Sequence, residues 1–246
     1  MFRTYRKYIL GGIIVLAGGI VPAVAVSDNK LPPPLKSPYI RVVTGGYEAM
    51  AADKAKRAIS GPRTDAVKAF LNSRCVGFDI ETMLWSRAHN IVKNTGDILI
   101  YPLTRTKERE THFEWVKKID EHHFNLLSHV SVDANNLSKP EIISGKYYAV
   151  CETTTSNCHM LLNYGFPEEN IFRISGVDVD GIVMRLAVGR ASFMMENYDI
   201  VSNIVTRIPS LEGKIEQVKN VTVIMEDYLA ASRLSSPFKT HLLDTP

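Results

Sequence analysis

The sequence predicts an α/β protein of two lobes, each a mostly parallel sheet flanked by helices. Three observations lead there. Short β-branched or apolar runs alternate with segments of helical apolar spacing. Capping residues or glycines mark most junctions between them. The alternation also occurs twice, once before residue 103 and again from residue 145, which indicates two lobes with a cleft between them.

Residues 40–44, Ile-Arg-Val-Val-Thr, form a β-branched run ending at Gly45-Gly46 and read as the first strand. Thr64 or Asp65 is suited to cap a helix that runs through Phe70 and Leu71. Residues 77–83 alternate like a strand. Ser86 can cap a short helix carrying Ala88, Ile91 and Val92, stopped by Gly96. Residues 97–102 read as a buried strand. The second round has strands at 145–150, 170–174 and 191–195. Between them lie a helix capped at Thr154, Thr155 or Ser156 and closed by Gly165, and one capped at Asp178 or Asp180 and closed by Gly189.

The first 25 residues have a different grammar. Arg3, Arg6 and Lys7 precede an apolar run from Ile9 to Ile20, then Pro22 and Ala23-Val24-Ala25. This is the layout of a cleaved secretory signal peptide, and the run is shorter than the ~20 residues that span a bilayer. The expected product is exported, with no stable membrane insertion of the mature chain. Residues 26–39, rich in proline, read as an extended tether. The chain has 29 basic and 26 acidic residues, so without the leader's three basic groups the rest is balanced at 26 of each. No basic stripe remains, which argues against a nucleic-acid partner. Of the three cysteines at least one is left over; Cys151 and Cys158 are close enough to pair if helix geometry at Cys158 allows it.

Few residues carry chemistry. Thr104 and Arg109 follow the strand at 97–102, where ligands of open α/β sheets bind, and Arg holds a carboxylate with two parallel hydrogen bonds. The same segment, with Lys107, Glu108 and Glu110, also reads as a solvated helix start. Cys151-Glu152-Thr153-Thr154-Thr155-Ser156 sits between a strand and a helix, where free amides favour an anion or a simple cap. It has no glycine, so it is not a phosphate loop. Asp120-Glu121-His122-His123 could bind a metal but reads rather as a solvated turn, and no HExxH or Cys/His zinc spacing, GxSxG or marked acid/base pair is present. No catalytic residue, metal or cofactor is expected, and an enzyme is not.

Taken together, the chain resembles the family 3 extracellular solute-binding proteins of the amino-acid-binding type, as a divergent member. The resemblance rests on Thr104-Arg105-Thr106-Lys107-Glu108-Arg109 with Phe113-Glu114-Trp115 and Ile119, and on Leu84-Trp85-Ser86-Arg87-Ala88. In the second lobe it rests on Gly145-Lys146 with Ala149-Val150, and on Gly189-Arg190-Ala191. It implies a type II periplasmic-binding-protein fold, with lobe one at 40–118 and 233–246, lobe two at 124–227, and hinge strands at 119–123 and 228–232. It further implies a monomer that closes on a small carboxylate-bearing ligand, an amino acid or related solute, and serves an ABC-transporter permease or a sensor. Arg109 and Thr104 match the carboxylate clamp, Thr154 and Thr155 the facing loop, and Tyr47 or Trp85 the aromatic that packs on the ligand.

The sequence departs from the family's pattern at two points. The position that pairs the ligand amine falls on Asn197, while Glu196 beside it should point the other way along a continuing strand. The family's Gly-rich loop is replaced by Thr153-Thr154-Thr155. Asn197 and the early end at Pro246 favour an alternative, a degenerate fold that binds no small ligand and serves as a protein-interaction module.

Overall fold

The computed structural model describes residues 39–45 and 59–234. The expected leader, nearly all of the tether, Tyr47 and residues 235–246 lie outside the described residues.

Eight strands form one sheet: β1 (Tyr39–Gly45), β2 (Gly77–Met83), β3 (Ile98–Thr104), β4 (Phe113–His129), β5 (Ala149–Glu152), β6 (Ile171–Ile174), β7 (Phe193–Glu196) and β8 (Ile215–Ser232). Their order is β2-β1-β3-β8-β4-β7-β5-β6. The pairs among β1, β2 and β3 and among β5, β6 and β7 are parallel, and those to β4 and β8 antiparallel. Each half thus repeats one topology, with its first strand central and its third beside the long β4–β8 ribbon. The ribbon runs through both halves, and its residues 120–123 pair with residues 227–224.

Among the described residues, six α-helices flank the sheet: α1 (Pro62–Ser73), α2 (Trp85–Asn94), α3 (Lys139–Ile142), α4 (Asn157–Tyr164), α5 (Val179–Ala187) and α6 (Tyr198–Arg207). Strand alternation explains why they lie on both faces. In the first half Ile40, Val42, Leu99 and Tyr101 pack on Val67 and Leu71 of α1. Their neighbours Val43, Ile98 and Ile100 pack on Ala88 and Val92 of α2. In the second half Cys151, Phe193 and Met195 meet Cys158, Met160 and Leu161 of α4. Val150 and Met194 meet Ile182, Val183 and Leu186 of α5 and Ile200, Val201 and Ile204 of α6. Burial on both faces is why β3 reads as a nearly unbroken apolar run.

Several local expectations are corrected. α1 begins at Pro62 after Gly61, because proline's fixed φ suits the first helical position. Thr64 is instead buried, hydrogen-bonded to the Tyr101 hydroxyl at 2.9 Å. α2 starts at Trp85, one residue before the expected Ser86 cap. β5 begins only at Ala149, because Asn170 Nδ2 donates to the carbonyls of Gly145 and Tyr147 and holds that segment out of the strand. Residues 120–123 are not a turn; they lie inside β4. α6 was not foreseen, although Asn197 caps it and Ile200, Val201 and Ile204 have helical spacing. Gly165 closes α4 as expected, at φ +118°, where a Cβ would also meet Ile143 Cδ1 at 2.9 Å. Cys151 and Cys158 form a disulfide that ties the end of β5 to the first turn of α4. No helix among the described residues is long and apolar enough to cross a membrane.

Candidate functional site

A cleft of about 400 Å³ opens where the parallel strands of both halves end. Gly45 ends β1, Thr82 and Met83 end β2, Thr104 ends β3, Glu152 ends β5 and Glu196 ends β7, and all line it. Strand ends on this side lead into loops and helix N-termini, so backbone and side-chain polar groups converge there. Trp85 closes one wall; its ring lies against Gly45, where a Cβ would stand 3.0 Å from Trp85 Cε3.

The floor is the β4–β8 ribbon. Asp227 is fully buried and sits opposite Thr104 on β3 and Asp120 on β4. Two carboxylates facing each other across a strand pair repel. Arg63 from α1 relieves this, with Nε 2.8 Å from Asp120 Oδ2 and Nη2 3.5 Å from Asp227 Oδ2. Thr104 Oγ1 donates to Asp227 Oδ1 at 2.7 Å, and His122 Nδ1 is 3.1 Å from Asp227 Oδ2. His122 stacks on Phe124, two residues along the same face. It lines the cleft, and its buried Nε2 has no hydrogen-bond partner among the described residues.

Arg109 joins the two halves. Its Nη1 donates to the Thr104 carbonyl at 2.6 Å and its Nη2 to the Thr154 carbonyl, in the loop after β5, at 2.8 Å. Burial lowers its pKa to about 10, against the pull of Asp227, Glu108 and Glu152, so it stays charged at neutral pH. His159 Nδ1 on α4 lies 3.3 Å from Glu108 Oε1, a second contact between halves.

On the second half, Glu152 Oε2 accepts from both the amide and the hydroxyl of Thr154, at 2.8 and 2.6 Å. Glu152 Oε1 is buried without a partner among the described residues. Glu196 accepts from Asn157 Nδ2 and from the Asn197 amide, each at 2.9 Å. Burial raises its pKa, opposed by His122 and these two donors.

The structure brings Thr104, Arg109, Trp85 and Thr155 together in the lining; Thr154 reaches the site through its main chain. Asn197 does not line this cleft: its side chain accepts from the amides of Asp199 and Ile200 and donates to the His123 carbonyl. Glu196, expected to face away, lines the cleft because β7 ends there and the alternation stops. His122, Asp227, Arg63 and Glu152 were missed as site residues. Burial within the ribbon distinguishes His122 and Asp227 from surface charge, and a local sequence pattern carries no such signal.

No protein-family model matches the sequence, and no curated protein matches it. Solved structures do. The chain is similar to the arginine-, lysine-, histidine-binding protein ArtJ from Geobacillus stearothermophilus, with a TM-score of 0.64 and 12% identity, covering 84% of this chain and 87% of that one. It is similar to the arginine-bound truncated ArgBP of T. maritima, with a TM-score of 0.62 and 15% identity, covering 84% and 92%. It is also similar to the periplasmic sensor of the hybrid histidine kinase Hk1 of Borrelia burgdorferi, with a TM-score of 0.59 and 11% identity, covering 85% and 98%. The chain has the two-lobed fold of the periplasmic binding proteins, and these neighbours are binding and sensor proteins.

Proposed function

We propose that this chain is a non-enzymatic periplasmic binding protein. It closes its two lobes on a small nitrogen-bearing solute of amino-acid size and presents the closed form to an ABC-type permease or a sensor. One observation carries the reading: both lobes line a cleft of about 400 Å³, within the usual range for small-molecule sites, and leave buried His122 Nε2 and Glu152 Oε1 without partners among the described residues. A buried polar atom left unpaired costs about 1–3 kcal/mol, which a ligand recovers. The β4–β8 ribbon around His122 and Asp227 is the proposed hinge. The signal-peptide layout supports export, with the mature chain starting near Val26; N-terminal sequencing of exported protein tests this, and a retained Met1 refutes it.

Thermal unfolding of the full chain against the twenty amino acids and their decarboxylated amines tests the binding reading. A ligand at a hundred times its Kd should stabilise by about 2.7 kcal/mol. No shift with any compound at millimolar concentration refutes a small-solute role and favours the protein-interaction alternative.

A further inference from the structure

Resting on the binding reading above, we infer that the cleft selects a cationic amine or guanidine lacking an α-carboxylate. Several of the donors that a ligand carboxylate would use at the strand ends are engaged within the protein. The Thr154 amide and hydroxyl are both held by Glu152 Oε2. The Thr104 hydroxyl is held by Asp227, and both terminal nitrogens of Arg109 already donate to main-chain carbonyls. Glu152 thus supplies from within the chain the carboxylate that the loop's amide would otherwise meet on a ligand.

Among the described residues, three buried atoms of the lining have no partner: the Trp85 Nε1 donor, and two acceptors on the ribbon and the second half, His122 Nε2 and Glu152 Oε1. Glu152 is more than nine-tenths buried, and as a carboxylate its Oε1 can only accept. His122 is equally buried. Its Nδ1 meets Asp227, whose carboxylate also only accepts, so Nδ1 carries a proton there, and in the Nδ1–H tautomer Nε2 is an acceptor. A ligand that satisfies these two acceptors must bring N–H or O–H donors to them.

Charge points the same way. The described lining holds five carboxylates, on Glu152, Asp178, Asp180, Glu196 and Asp227, against the guanidinium groups of Arg63 and Arg109. Asp178 caps α5, Asp180 pairs with Arg207, and Asp227 is enclosed by Arg63, Thr104 and His122. That leaves Glu152 and Glu196, both at strand ends of the second lobe, as buried acids without a facing basic side chain in hydrogen-bond contact. A cation between the lobes would meet them and His122 together. The apolar walls from Trp85, Phe124 and Ile182 suit the methylene stem that joins such a group to a second amine.

Calorimetric titration of the full chain with matched pairs tests the inference: agmatine against L-arginine, putrescine against L-ornithine, cadaverine against L-lysine. In at least one pair the amine should bind tenfold or more tighter than its amino acid. Glu152→Gln should weaken that amine about 30-fold or more, since one partner of a desolvated charge pair is lost. Glu196→Gln, which keeps a hydrogen-bonding amide toward Asn157, should also weaken it by tenfold or more and serves if Glu152→Gln does not melt cooperatively. An amino acid binding as tightly as its amine, in every pair where either binds, overturns the inference and leaves the binding reading standing. So does an amine affinity within twofold of wild type in a well-folded variant. If no amine binds, the inference fails; if no amino acid binds either, the binding reading fails with it.

Discussion

Replacing Arg109 by alanine separates two roles for this side chain, a clamp on a ligand carboxylate and a latch between lobes. Two hydrogen bonds are lost, to the Thr104 and Thr154 carbonyls. Each charge-assisted bond contributes about 1.5–3 kcal/mol. Burial already disfavours this guanidinium, since the fall of its pKa from its ordinary value to about 10 corresponds to roughly 3 kcal/mol. The loss and the relief largely offset, so global stability should fall by about 0–3 kcal/mol. Closure is affected differently, because of the two bonds only the one to Thr154 spans the lobes. Its loss should shift the open–closed balance by about 10- to 150-fold. The apparent affinity for any ligand of the closed form falls by the same factor. Titration of Arg109→Ala with agmatine and with any amino acid that binds should therefore show equal weakening. Small-angle scattering of the ligand-free variant should show a larger radius of gyration than wild type. An unchanged radius together with agmatine affinity within twofold of wild type refutes the latch. Weakening confined to carboxylate-bearing ligands restores the clamp.

The Cys151–Cys158 bridge closes a loop of sequence separation 7, and its reduction should cost about 2.5 kcal/mol by loop entropy; denaturant midpoints with and without reductant measure this. Unchanged midpoints would show that the bridge does not form in solution. His89 is partly buried against Phe113, and desolvation, with Arg109 and Lys93 nearby, lowers its pKa to about 4. A histidine with a depressed folded-state pKa stabilises the fold fully above the unfolded value near 6.5. That contribution falls away as pH drops from there through about 4, by on the order of 3 kcal/mol. His89→Phe should flatten this part of the stability profile, and an acid limb identical to wild type would exclude His89 as its source.

The sequence by itself determined the two-lobed α/β plan, because strand and helix periodicities are local and each lobe spells the same order. It also determined where β1, β2, α4 and α5 lie to within a few residues, since Gly165 caps through its left-handed backbone and the Asp178 carboxylate accepts from the Gly181 amide, both local signals. It marked Arg109 and Thr104 as residues beyond a strand end, and the structure brings both to the cleft. Only the tertiary structure decided what surrounds them. Asp120-Glu121-His122-His123 is polar in sequence, yet pairing with β8 buries His122 beside Asp227, 105 positions away. Asn197 and Glu196 exchange their expected places because β7 stops one residue short of Asn197 and α6 takes its side chain as a cap. Glu152 ends β5 at a segment that reads in sequence as an anion site, until its carboxylate is seen to hold the Thr154 amide. Each of these depends on which distant groups supply or use up a hydrogen bond. Local patterning specifies the elements, whereas the balance of donors and acceptors in the cleft is set by contacts between elements far apart in the chain.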